Sequence, residues 1–145
     1  MTASHTDAML RRILETTRTV AMVGASPNPN RDSYRVMRYL QQQGYRVIPV
    51  NPTVDGASIL GEPVVARLAD IECGVDLVDV FRRADAVAGV VDEVLALAAR
   101  PATLWLQLGV VDEQAAARAR DAGLEVVMDR CIKVEHVRLV RAASS

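Results

Sequence analysis

The chain has 145 residues, half of them hydrophobic and about a quarter charged, with a formal net charge of −1; that is one ordinary domain with enough apolar residues for a core. So small a charge supplies no global field to recruit nucleic acid, and no apolar run approaches the ~20 residues of a membrane span. Cys73 and Cys131 have neither metal-site spacing nor a disulfide framework, and the polar residues 1–7 lack a signal peptide's apolar core; the expectation is a single cytoplasmic domain over residues 1–145, without membrane or nucleic-acid partners.

Residues 7–17 place Met9, Leu10, Ile13 and Leu14 among Arg and Glu, the spacing of an amphipathic helix laid on a core. An apolar run over 19–24 follows, and such runs suit parallel strands covered on both faces. After a loop rich in Gly, Ser, Pro and Asn, a helix starts with Asp32 or Ser33 as cap. It carries Val36, Met37 and Leu40 as its stripe and stops at Gly44. A second strand, 45–50, ends at Asn51-Pro52, where proline stops regular pairing. Residues 53–64 read as loop, and a short helical turn passes through Ala66, Arg67 and Leu68. The third strand spans 75–81, the fourth 102–107 and the fifth 124–128. Helices over 84–99, from Asp112 to Gly123 and onward to about Arg141 fill the rest, with 142–145 frayed. Asp79 breaks the apolar character of the third strand and needs a partner if buried.

Unbroken β-α alternation, without repeat or linker, implies right-handed crossovers and a parallel sheet with helices on both faces. The expected architecture is a Rossmann-like, three-layer, doubly wound α/β domain of about five parallel strands in the order 3-2-1-4-5. Ligands bind such sheets beyond the carboxyl ends of the strands, where the strand order reverses. That points to loops 24–33, 51–53, 81–84, 107–111 and 129–132.

The first of these loops joins a strand to a helix through small residues. Backbone N–H groups there can approach a phosphate, and the helix start turns partial positive charge toward it. The ligand is therefore read as nucleotide-like, its diphosphate at the 24–26 turn. A dinucleotide fingerprint is missing: Ser26 and Asn28 stand where more glycines belong, and strand two ends in Val50-Asn51-Pro52 without the ribose-binding acid. No P-loop occurs either.

Val23-Gly24-Ala25-Ser26 with Asn28-Pro29, Ser33-Tyr34, Gly44-Tyr45, Pro49-Val50-Asn51-Pro52 and Leu60-Gly61-Glu62-Pro63 form the first half of a pattern. Val80-Phe81-Arg82, Trp105-Leu106-Gln107-x-Gly109 and Met128-Asp129-Arg130-Cys131 complete it. In order and spacing these resemble the small stand-alone CoA-binding proteins, which are similar to the CoA-binding domain of the succinyl-CoA synthetase alpha subunit. The resemblance runs from about Arg18 to Leu139. It implies a Rossmann-like fold that holds coenzyme A or an acyl-CoA across its strand ends. It implies no catalysis and no metal: the synthetase's phosphorylated histidine belongs to a separate domain, and neither His5 nor His136 matches it.

Under that resemblance Gly24, Ala25 and Ser26 receive the diphosphate. Arg31 and Ser33 face phosphates from the helix start, with Arg35 and Arg38 as alternatives. Asn51 and Pro52 meet the nucleoside half. Phe81 walls the adenine or the pantetheine, or else joins the core, and Arg82 reaches a phosphate. Gln107 hydrogen-bonds pantetheine amides beside Gly109, which leaves room; Trp105 is core. Cys131 stands where the ligand thiol emerges. It is either an inert buried thiol or the centre of an acyl-CoA-handling or thiol-redox enzyme, the alternative to a pure binding protein. Cys73 is an incidental loop residue, and His136 a helix-surface one.

Overall fold

Thr6 starts the first helix: its hydroxyl accepts from the Met9 N–H at 3.1 Å, and α1 (Asp7–Thr16) turns Leu10, Ile13 and Leu14 inward. The structure is a computed structural model that describes residues 5–142, so the expected fraying at 143–145 lies outside the described residues. Strand β1 (Thr19–Val23) sends Val20 and Met22 to one face and Ala21 and Val23 to the other, all buried. Helix α2 (Asp32–Gln42) returns the chain to β2 (Arg46–Val50).

A small antiparallel hairpin follows, β3 (Ser58–Ile59) with β4 (Glu62–Pro63), where the sequence reads as loop. Its two turn residues, Leu60 and Gly61, have φ of 50° and 84°. Both central residues at positive φ is the requirement of a type I′ hairpin turn, and a leucine at the first of them masks the signal. The chain then runs through β5 (Leu77–Val80), α3 (Val87–Ala96), β6 (Thr103–Leu106), α4 (Glu113–Asp121), β7 (Glu125–Val127) and α5 (Ile132–His136). A π-helical turn, Val137–Arg141, continues α5.

The main sheet is five parallel strands in the order β2-β1-β5-β6-β7. Val65 adds one parallel bridge outside β2, with Asn51 N–H to Val65 O at 2.9 Å and Val65 N–H to Pro49 O at 3.1 Å. Counted as a vestigial strand, Val65 takes the third place and the order is of the expected 3-2-1-4-5 type, with β7 as a sixth member. The segment read as the third strand therefore fills the fourth place, beside β1. After β2 the chain spends its length on the hairpin, and a single bridge is all that pairs before it crosses over. Helices α1, α2 and α5 cover one face through Leu10, Ile13, Met37, Leu40 and Ile132. Helices α3 and α4 cover the other through Val87, Val91, Val94, Ala116 and Ala119. Among the described residues no helix is long and apolar enough to cross a membrane.

Candidate functional site: the crevice at the strand ends

The strand order reverses between β1 and β5, and the chain exits of both meet there. The Gly24 N–H bonds Val50 O at 2.9 Å, and the Phe81 N–H bonds Val23 O at 2.8 Å. Gly24 has φ +86°, and a Cβ on it would lie 2.2 Å from the Phe81 carbonyl oxygen. The glycine is thus demanded by the splice of β1 to β5 itself. Beyond it the loop braces itself: Ser26 Oγ accepts from the Asn28 N–H at 3.1 Å, and Asn28 Oδ1 from the Asn30 N–H at 3.0 Å.

Neither Asp32 nor Ser33 caps α2, contrary to the sequence reading. The N-cap residue is Arg31, and no side chain bonds the helix start. Asp32 is the first helical residue, drawn to Arg35 at 3.1 Å, while Ser33 is buried. The Tyr34 and Arg35 N–H groups bond Arg31 O at 3.2 and 3.3 Å; those of Asp32 and Ser33 have no intrahelical acceptor, so the helix presents these two donors and its positive dipole end at the crevice.

Three adjoining hollows share the ring of Phe81. One of about 380 Å³ is lined by Gly24, Ser26, Arg31, Asp32, Ser33 and Phe81. A second, about 300 Å³, lies among Gly24, Asn51, Pro52, Thr53, Phe81 and Arg82. The third, about 670 Å³, extends past Phe81, Arg82 and Gln107 to Cys131 and α5. Arg31 and Arg82 form no ion pair with a carboxylate among the described residues, whereas Arg35 and Arg83 are held by Asp32 and Asp85.

Ten of the twelve residues singled out from the sequence line these hollows; Ala25 and Gly109 line none of them. Ala25 is buried, and its carbonyl accepts from Asn51 Nδ2 at 2.9 Å. Asn51 Oδ1 accepts from the Thr53 N–H at 2.9 Å and the Thr53 hydroxyl at 2.8 Å, so this side chain ties the ends of β1 and β2 together. Gln107 is spent in the same way, its Oε1 taking the Ile132 N–H at 3.1 Å at the start of α5. The Gly109 N–H bonds Asp129 Oδ1 at 2.7 Å, and Trp105 Nε1 bonds Arg130 O at 2.8 Å. These three bonds, from alternate residues of the β6 exit, fix the 129–132 turn and hold Cys131 half-buried in the third hollow. Thr53, Leu108 and Val110 also stand on the walls; they fall in the loops 51–53 and 107–111 that the sequence points to, without an individual role there. Lys133 and Val134 of α5 lie outside those loops, and adjacency to Cys131 is their only signal in the sequence.

Two titratable groups lie off these walls. Asp79 is fully buried, level with Met22 and Trp105 in the sheet, and neither carboxyl oxygen has a hydrogen-bond partner. Burial pushes its carboxyl well above the ordinary carboxylate range. His136 is buried rather than on the surface, where α5 packs on α2. Its Nδ1 lies 2.7 Å from the Tyr39 hydroxyl, and the Tyr39 and Tyr45 rings meet it edge-on. Burial, then the Arg141 charge, holds the imidazole below its usual value. Burial also raises the Tyr45 phenol to about 12.

The fold and the crevice define a Rossmann-like domain with an open cleft at its topological switch point. A family model described as a CoA binding domain matches residues 18–137. The chain belongs to that family. It is similar to the uncharacterized protein YneT of Bacillus subtilis, with 41% identity over 129 residues, which are 89% of this chain and 93% of that protein. It is also similar to the solved structure of cell-free ID.343 from Thermus thermophilus, at 44% identity and a TM-score of 0.88 over 93% of this chain and 99% of that one. A hypothetical protein from Pyrococcus horikoshii OT3 superposes with a TM-score of 0.87 at 34% identity, over 97% of this chain and 99% of the other.

Proposed function

We propose that this protein binds coenzyme A or an acyl-CoA, with the diphosphate at the 24–26 turn and the open start of α2. The observation that carries the reading is the run of three hollows through Phe81, flanked by two arginines without carboxylate partners. An extended ligand with several phosphates at one end and an uncharged arm at the other matches that sequence of walls. Arg31 and the first-turn N–H groups of α2 serve the diphosphate. Arg82, beside Asn51, Pro52 and Thr53, serves the nucleoside end and its phosphate. The third hollow receives the thiol end of the pantetheine arm. Asn51 acts by holding the loops, since its amide nitrogen and oxygen are both engaged; Ser26 and Gln107 accept loop N–H bonds through their oxygens and keep the hydroxyl hydrogen and the Nε2 group to donate to the ligand.

Thermal melts with CoA, NAD and FAD test this directly. A ligand that binds only the folded state raises the melting temperature; CoA does so, and the two dinucleotides do not. A shift with NAD alone refutes the assignment. The alternative, an enzyme working through Cys131, needs a base within reach of the thiol. His136 is committed to Tyr39, and His5 Nε2 accepts from the Met128 N–H at 3.2 Å. Binding without turnover is therefore the reading supported, and any acyl-CoA turnover retained by Cys131→Ser excludes that thiol from chemistry.

A further inference from the structure

The third hollow differs in kind from the other two. Its walls are mostly apolar and come from four separate places: Val36 on α2, Phe81 at the β5 exit, Leu108 and Val110 after β6, and Val134 on α5. Leu108 is 70% exposed and Val134 57%, the two most exposed large aliphatic side chains among the described residues, and both stand on this one hollow. Its volume of about 670 Å³ falls within the roughly 300–1,000 Å³ of small-molecule sites.

The polar part of a pantetheine arm finds little here. Gln107 Oε1 is taken by Ile132, which leaves its Nε2; the guanidinium groups of Arg35 and Arg83 are tied to Asp32 and Asp85, and Arg82 stands where this hollow meets the second one. Lys133 Nζ sits over the Tyr39 ring, 5.5 Å from its centroid. What the hollow offers in quantity is uncovered aliphatic surface, continuous through Phe81 with the anion-receptive end of the crevice.

Resting on the reading of the chain as a CoA binder, we propose that the form it selects is a thioester with an apolar acyl chain, and that the chain packs between Leu108 and Val134. The thiol form leaves those two side chains in water; a fatty acyl group of a few carbons covers them. The proposal concerns affinity alone, and no bond is made or broken in it.

Titration calorimetry with CoA, acetyl-CoA, butyryl-CoA, hexanoyl-CoA and succinyl-CoA decides it. Affinity is expected to climb with chain length by about threefold per methylene buried. Leu108→Asp, at a site open enough to accept a charge without disturbing the core, collapses the difference between hexanoyl-CoA and CoA. Val134→Asp does the same from the opposite wall. Equal affinities for CoA and hexanoyl-CoA overturn the inference while leaving CoA binding intact. A preference for succinyl-CoA that disappears in Lys133→Gln also overturns it, since the hollow then reads a carboxylate. Should light scattering show a dimer that the two Asp variants dissolve, with all thioesters bound alike, the apolar walls serve a second copy and the inference falls. Failure of every ligand, CoA included, takes the proposed function down with it.

Discussion

Replacing Asp79 with Asn flattens the pH dependence of this protein's stability. The carboxyl is fully buried without a hydrogen-bond partner, and burial is the whole cause of its raised pKa. The folded chain therefore keeps a proton that the unfolded chain gives up above about pH 4. The stability this proton supplies is fully present below that point. It is lost as pH rises, at about 1.4 kcal/mol per pH unit, until the folded group itself ionises. Each pH unit of that loss corresponds to roughly 3–6 °C of melting temperature for a chain of this size. Asparagine keeps the shape and cannot ionise, so its own burial cost is independent of pH. Urea melts of both proteins between about pH 5 and about pH 7 measure the difference curve: near zero or negative at the acid end, and rising toward neutrality with a slope of up to about 1.4 kcal/mol per pH unit. A difference that stays flat refutes the reasoning, for it means that Asp79 is ionised in the folded state and has a partner. Subtracting the two proteins matters, because the histidines slope the other way.

His136 supplies that opposite slope. Its imidazole is held below the usual value, so its stabilising share is present above about pH 6.5 and fades as pH falls and the unfolded chain takes up the proton; His136→Gln reduces the loss of melting temperature on acidification. Gly24→Ala places a methyl 2.2 Å from the Phe81 carbonyl at a positive φ, and a loss of about 3 kcal/mol or outright misfolding follows in a denaturant melt. An unchanged melt means that the β1–β5 splice is looser than described. Arg31→Ala and Arg82→Ala each weaken CoA binding about tenfold in calorimetry, the value of a charge-assisted hydrogen bond, with little change in melting temperature of the free protein. If neither changes affinity, the phosphates lie outside the first two hollows.

Much of this fold is legible because its signals are periodic. Val20 to Val23 and Leu104 to Leu106 are apolar on both faces because helices cover both. Gly44 and Gly123, at φ of 94° and 97°, end helices where glycine alone is comfortable. The hairpin at 58–63 stays hidden since Leu60 occupies a turn position that favours Gly or Asn, and no short pattern marks Val65 as a lone bridge. His136 misleads because what buries it is tertiary: its partners Tyr39 and Tyr45 lie far away in sequence, and no local pattern shows them. At the site, the strand-end pattern and the family resemblance together point to twelve residues, of which ten line the hollows. They do not reveal which polar atoms are already consumed: Asn51 is engaged through both its nitrogen and its oxygen, while Gln107 and Ser26 have only their oxygens taken by their own loops.

That consumption bears on how such a crevice binds. A ligand that must first order its loops gives up free energy in doing so. Here the exits of β1, β2 and β6 are already fixed: Asn51 joins two of them, and Trp105, Gln107 and Gly109 pin the turn before α5. The groups left free are of two sorts, the arginines and helix-start N–H groups at one end and the exposed aliphatic side chains at the other. Phe81 stands between them, its backbone locked against Val23 and Gly24 while its ring borders all three hollows. A site arranged in this way separates rigidity from recognition. Its framework bonds are internal and need no ligand to form, so charge at one end and apolar area at the other can each be changed by substitution without removing the bonds that hold the strand ends.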